Sequence, residues 1–233
     1  MIVAANLKTN LTRQETLEYV ETLSNTNIAQ GTKVLVFPAT SSLNSFNTSL
    51  TIGAQNAYPT KNGAFTGEIG LVHLQEFNIK SILLGHSERR HILGETQEKI
   101  VEKFNFFKEQ GFEIVYCVGE RLQEREAGLE ATLAYIQKQY EGIDTSYEKL
   151  TVAYEPVWAI GTGLVPTLVD IETIHSELKK LSSAPLLYGG SVKLNNVKDI
   201  YNVPNVDGVL VGSAALEVKD FSAMVEIANS ISK

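Results

Sequence analysis

The chain has 233 residues, 43% of them hydrophobic and 20% charged, the balance of a soluble globular protein. A formal net charge of -7 argues against nucleic acid or an anionic membrane as main partner, and a single cysteine, Cys117, excludes an internal disulfide and suits a reducing, cytoplasmic compartment. No apolar run approaches the roughly 18 residues of a membrane span, and "MIVAANLKTN" has no basic segment leading a long apolar core, so no secretory leader is expected.

In chain order, "IVAAN" from Ile2 leads into "RQETLEYVETLS", where Leu17, Val20 and Leu23 form a helical stripe. "KVLVF" from Lys33 and "TIGAQ" from Thr51 are followed by weaker helical candidates, "SSLNSFNTSL" and "GLVHLQEF". "SILLG" from Ser81 precedes "ETQEKIVEKFNFFKEQG", with Ile100, Phe104 and Phe107 on one face and a stop at Gly111. "EIVYC" from Glu113 is followed by "TLAYIQKQY", and "TVAYE" from Thr151 by "IETIHSELKKL". "PLLYG" from Pro185 and "VDGVLVG" from Val206 complete the series, and "FSAMVEIANSI" closes it.

Near-continuous apolar runs of this length are the mark of strands buried on both faces, as in parallel sheets. Eight strand-then-helix units of about 29 residues each fit one eightfold parallel barrel, which averages roughly 250 residues. The expectation is a single α/β domain over residues 1–233, a (β/α)8 barrel; a doubly wound open sheet is the alternative. In such barrels the chemistry lies at the C-terminal ends of the strands.

Those ends carry a distinct set of residues. Asn6 and Lys8 follow the first run; Lys8 either faces an anion or is a surface charge. His86 follows the fourth, just before a helix start at Ser87. The positive end of the helix dipole disfavours imidazolium, so the ring is a neutral hydrogen-bond donor or a structural histidine. Glu88, Arg89 and Arg90 read as an ion-pair cluster. Glu155 ends the sixth run, and Pro156 keeps it extended, as a general base or as half of a salt bridge. "YGGSV" and "VGSAA" end the last two runs. Gly189, Gly190 and Gly212 let backbone amides approach a ligand, and Ser191 and Ser213 add hydroxyls, where such barrels commonly hold phosphate. His73, His91, His175 and Cys117 read as packing or surface groups. A base, an electrophile and an anion grip are the parts that proton abstraction beside a carbonyl requires.

Along nearly its whole length the sequence resembles the triosephosphate isomerase family. The resemblance is carried by "NLK" at Asn6, "AQNAYPTKNGAFTGEI" at Ala54, "LLGHSERR" at Leu83, "YCVGE" at Tyr116, "AYEPVWAIGTG" at Ala153, "LYGGSV" at Leu187 and "DGVLVGSA" at Asp207. It implies interconversion of dihydroxyacetone phosphate and D-glyceraldehyde 3-phosphate, with Glu155 as base and a neutral His86 as electrophile, the pairing known for this family. Lys8 supplies positive potential, with Asn6 beside it. Gly161, Ser191, Gly212 and Ser213 fall on the phosphate-binding positions, and Ser87, Glu88 and Cys117 on supporting ones. No cofactor and no metal are implied. "PVWAIGTG" matches a mobile lid. "NGAFTGEI" matches a loop that inserts into a second subunit, so a homodimer is expected, with Thr66 reaching toward Asn6 and Glu88 of the partner subunit.

The sequence departs from the family at three places. Leu7 and Thr9 stand where Trp and Met are common. Leu164, Val165 and Pro166 replace the usual Lys-Thr-Ala, and proline restricts both itself and Val165, so a hinge with fewer open conformations is expected. Ser213 replaces a second glycine, which would cost roughly 1 kcal/mol if the backbone there were left-handed. The competing readings are another sugar-phosphate barrel enzyme and a non-catalytic binding protein derived from an isomerase.

Overall fold

Eight apolar segments pair edge to edge, all parallel, until the last meets the first. In the computed structural model, which describes residues 1–160 and 164–231, the strands are β1 (Ile2–Asn6), β2 (Lys33–Phe37), β3 (Thr51–Ala54), β4 (Ser81–Leu84), β5 (Glu113–Val118), β6 (Leu150–Tyr154), β7 (Leu186–Tyr188) and β8 (Gly208–Val211). Ile2 is in register with Lys33 on one side and with Gly208 on the other, so the barrel is closed and the open-sheet alternative is excluded.

The alternation of side chains along each strand divides the core in two. Ala4, Leu35, Phe37, Leu83, Val115, Cys117, Ala153, Leu187 and Leu210 fill the barrel interior. The other parity, with Val3, Val36, Leu84, Tyr116, Val152 and Val211 among it, joins the larger layer beneath the helices. Both faces are dry, which is why the strands read as continuous apolar runs.

The helices are α1 (Arg13–Ser24), α2 (Leu71–Glu76), α3 (Ser87–His91), α4 (Gln97–Glu109), α5 (Leu122–Glu126), α6 (Leu129–Gln139), α7 (Leu168–Leu181), α8 (Val197–Asn202) and α9 (Val218–Asn229). Two begin with a reciprocal capping box, Thr12 with Glu15 in α1 and Thr167 with Asp170 in α7. Ile100, Phe104 and Phe107 are buried as expected. The α1 stripe is shifted: Thr16, Tyr19, Val20 and Leu23 face inward while Leu17 is half-buried. Tyr19 decides this, because its hydroxyl donates to the Ala215 carbonyl at 2.7 Å across the helix layer.

The stretch after β2 yields only a 3-10 turn, Thr40–Ser42. Its side chains take the backbone amides instead, Asn44 from Ser45 at 2.9 Å and Thr48 from Leu50 at 3.1 Å. The short α5 and α8 carry too little periodicity to stand out in the sequence. His73, His91 and His175 do lie on helices, His175 fully buried in α7. At the altered hinge, Leu164 and Val165 are exposed, while Pro166 is buried directly ahead of the α7 cap.

Candidate active site

The C-terminal mouth of the barrel opens into a cavity of about 360 Å³ lined by Asn6, Lys8, His86, Glu155, Ser191, Gly212 and Ser213, together with Ile160, Gly189, Gly190, Val192, Lys193, Leu210 and Ala214. Nine residues singled out from strand ends, Gly189 and Gly190 among them, therefore meet at one place. Ser87 and Glu88 stand in direct contact with them. Cys117 belongs to the barrel interior, fully buried, its thiol pushed well above its ordinary range by burial. Thr66 lies on an exposed loop. Gly161 lies outside the described residues.

Glu155 follows β6 with its N–H donating to the Val118 carbonyl at 2.7 Å, and its side chain is buried. One carboxylate oxygen, Oε2, accepts from the Ser87 N–H at 3.2 Å; the other, Oε1, lies 3.1 Å from His86 Nε2. Burial pushes this carboxyl up, but His86, the Ser87 amide and Lys8 together outweigh it, so Glu155 titrates below the ordinary glutamate value. A β-carbon at Gly189 would come within 3.0 Å of Glu155 Cγ. Glycine there leaves the carboxylate room to move.

His86 caps α3, and its Nδ1 accepts the Glu88 N–H at 3.2 Å. That bond exists only while Nδ1 is unprotonated, so the hydrogen of the neutral ring sits on Nε2, facing Glu155. Burial lowers the imidazole's pKa, and the adjoining Glu155 carboxylate raises it above the ordinary value while the two side chains touch. Were Glu155 to swing onto a ligand, that support would go. Burial, the Glu88 amide and Lys8 favour the neutral ring, whereas the Glu88 carboxylate, 3.6 Å from Nδ1, acts with Glu155 against it. With Glu155 in contact the net direction is therefore opposite to the one the helix-terminus argument gave.

Lys8 adopts a left-handed backbone, φ 52°, which costs energy in a residue with a β-carbon. Two amide side chains hold it there: Asn6 Oδ1 accepts the Lys8 N–H at 3.1 Å, and Gln55 Nε2 donates to the Lys8 carbonyl at 2.8 Å. Lys8 Nζ pairs with Glu88 Oε1 at 2.7 Å, and its stem passes Gly212, where a β-carbon would sit 3.4 Å from Lys8 Cε. The expected Glu88–Arg89–Arg90 cluster is thus split three ways. Arg89 pairs with Glu95 at 3.1 Å, and Arg90 donates to the Gly85 carbonyl at 2.7 Å.

Opposite the carboxylate, the loop after β7 brings Ser191, whose Oγ donates to the Ala159 carbonyl at 2.6 Å. After β8, Gly212 leads into a 3-10 turn, Ser213–Ala215. Ser213 has no positive φ, so the strain considered for it does not arise. Sequence reasoning missed Lys193, which lines the cavity and could have been noticed as a cation two residues beyond Ser191. It also missed Gln55, although its place directly after β3, at the end of the third apolar run, is the same signal that marked Glu155. Among the described residues no group of three or more His, Cys, Asp or Glu side chains is placed to hold a metal ion.

The sequence comparisons agree with this geometry. The family model described as "Triosephosphate isomerase" matches residues 1–228. The triosephosphate isomerase of Sulfurimonas denitrificans is 60% identical, over all of this chain and 98% of that protein. That of Sulfurovum sp. is 56% identical, over 97% of this chain and 99% of its own length, and that of Campylobacter jejuni subsp. jejuni 47% identical, over 97% and 100%. A closed eightfold barrel, a buried carboxylate–imidazole pair at its mouth and full-length similarity of this degree lead to one conclusion: the chain belongs to the triosephosphate isomerase family.

Proposed function

We infer that this cavity is where the chain interconverts dihydroxyacetone phosphate and D-glyceraldehyde 3-phosphate, a step shared by glycolysis and gluconeogenesis, and that residues 1–233 act as one catalytic domain. The observation that carries the reading is the buried Glu155–His86 pair, 3.1 Å apart, facing the same space as Lys8 and the Gly/Ser loops after β7 and β8.

In this mechanism the substrate displaces Glu155 from Ser87 and His86. Freed from the donors that hold its pKa down, the buried carboxylate becomes a stronger base. It takes a proton from the carbon beside the carbonyl, and the C–H electron pair forms the carbon–carbon double bond of an enediolate. His86 Nε2–H donates to the oxygen that gains charge, and Lys8 adds positive potential beside Asn6. His86 gives its Nε2 proton to that oxygen and takes the hydroxyl proton from the other, which becomes the new carbonyl oxygen as Glu155 returns its proton to the neighbouring carbon. Ser191, Gly212 and Ser213 hold the phosphate, with Gly161 assigned the same role by the family pattern. The segment from Pro156 is the lid in this reading. Its start is tied down by Trp158, which donates to Glu120 at 2.7 Å, and by the Ala159 carbonyl on Ser191.

The test is turnover of D-glyceraldehyde 3-phosphate by purified protein beside the Glu155→Gln variant, whose amide cannot accept the proton. The wild type should turn over, and the variant should lose about 10²–10⁴-fold in kcat. A folded wild type without turnover, or a variant as fast as the wild type, would overturn the reading.

A cytoplasmic homodimer accompanies this function. Phe65, stacked on Tyr58 at 4.3 Å, is 41% exposed on the loop around Thr66, and Ile92 and Leu93 are 77% and 64% exposed. In this reading a second subunit covers these three side chains, which belong to a larger set of exposed hydrophobics that includes Val169 at 71%. Sedimentation should give twice the chain mass of 25.6 kDa, and Leu93→Asp should give monomers. Wild-type protein that sediments as a single chain would exclude the dimer.

A further inference from the structure

We propose that Gln139, at the C-terminal end of α6, is a positioning residue for Glu155. The inference rests on the isomerase reading above and adds to it a residue outside the cavity.

The argument starts from where the β5 ladder loses a neighbour. On the β4 side, pairing ends at Leu84 with Tyr116, because Gly85 turns the chain at φ +74° into α3. On the β6 side it continues: Val118 accepts the Glu155 N–H at 2.7 Å, and Glu120 accepts the Val157 N–H at 3.0 Å. Gly119 lies between those two carbonyls. It is a residue with an N–H and a C=O to satisfy in the interior and no strand left beside it.

The Gln139 side chain takes the place of the missing strand. Its Nε2 donates to the Gly119 carbonyl at 2.8 Å, and its Oε1 accepts the Gly119 N–H at 3.0 Å. Gln139 is itself buried and fixed, since its main-chain carbonyl accepts from Gln97 Nε2 at 2.8 Å and from the Tyr116 hydroxyl. Gly119 in turn lies hard against Glu155; a β-carbon there would collide with the Glu155 carbonyl oxygen. The amide therefore sets the height of Gly119, and Gly119 sets the backbone from which the base is hung. Gln139 touches none of Lys8, Ser191, Gly212 or Ser213, so phosphate binding is separate from it.

The experiment compares wild type, Gln139→Met and Gln139→Glu with D-glyceraldehyde 3-phosphate, protonated or deuterated at the carbon that loses its hydrogen. Methionine keeps the size and removes both hydrogen bonds; glutamate keeps the size and the acceptor for the Gly119 N–H. Displacing a base without removing it costs up to about 100-fold. The expected result is a fall in kcat of about 10- to 100-fold with KM unchanged, and a primary isotope effect larger than that of the wild type, because proton transfer becomes the slow step. A purely structural role would lower the folded fraction without altering the isotope effect, and that outcome would overturn the inference, as would wild-type kcat in a folded variant. If Gln139→Met does not fold, Gln139→Glu decides by the same two readouts. Loss of turnover in the wild type itself would be the failure of the isomerase reading; turnover in the wild type with unaltered variants would be the failure of this inference alone.

Discussion

Glu155 and Glu120 end neighbouring strands, and both are almost wholly withdrawn from water, at 3% and 0% exposure. Burial pushes each carboxyl up, yet their net shifts have opposite signs. Glu120 rises, because burial outweighs what offsets it: the neutral Trp158 indole at 2.7 Å and Tyr154 hydroxyl at 3.1 Å, both on Oε1, and the Arg125 charge, while Oε2 has no hydrogen-bond partner among the described residues. Glu155 falls, because an imidazole and a backbone amide engage both of its oxygens and the Lys8 ammonium is near. Depth alone does not set the charge of a buried acid. The kind of partner does, and the low pKa of the resting base is a property of contacts that a substrate would exchange.

The largest expected break in this contrast comes from His86→Gln. Removing the imidazole should lower kcat by about 10²–10⁴-fold. It should also raise the Glu155 pKa in the ligand-free protein, making it behave more like Glu120. Titration of carbon-13-labelled glutamate by NMR would show the shift; an unchanged Glu155 would mean that His86 is not what holds it down.

Glu120→Gln should do far less, costing under about tenfold in kcat, the worth of one modest hydrogen bond. Its effect on stability is the sharper readout. A carboxyl with a raised folded pKa binds its proton more tightly folded than unfolded. Its stabilising contribution is present below the unfolded value, about 4.3, and is lost as pH rises through the folded value. Glutamine never ionises and escapes that loss. The variant should therefore melt higher than wild type at pH 7, with the difference vanishing below about pH 4. A lower melting temperature at pH 7 would show instead that the protein uses the Glu120 charge.

Much of this was legible in the chain. Ile100, Phe104 and Phe107, with the stop at Gly111, mark α4 by spacing alone. His86, Glu155, Ser191 and Gly212 stand out because each follows an apolar run, and a closed parallel barrel gathers the ends of its strands. Leu17 misled because periodicity ranks apolar residues, whereas the inward face of α1 is fixed by the Tyr19 hydroxyl reaching a carbonyl 196 residues away. The stretch after β2 misled because its Ser, Thr and Asn side chains compete for the amides a helix would need.

What the sequence by itself determined is the barrel and the identity of the residues at its mouth. Both follow from local rules: short continuous apolar runs in strands, 3.6-residue periodicity in helices, and the order in which eight units recur. Only the tertiary structure decided which polar groups meet. Gln55 holds the strained Lys8 backbone from 47 positions away, Gln139 finishes the β5 edge at Gly119, and the Ser87 amide reaches Glu155 across 68 residues. A glutamine on a helix or after a strand looks the same in sequence whether it faces water or replaces a missing strand. Hydrogen-bond partners and charge states depend on distance and burial, and those exist only once the chain has closed.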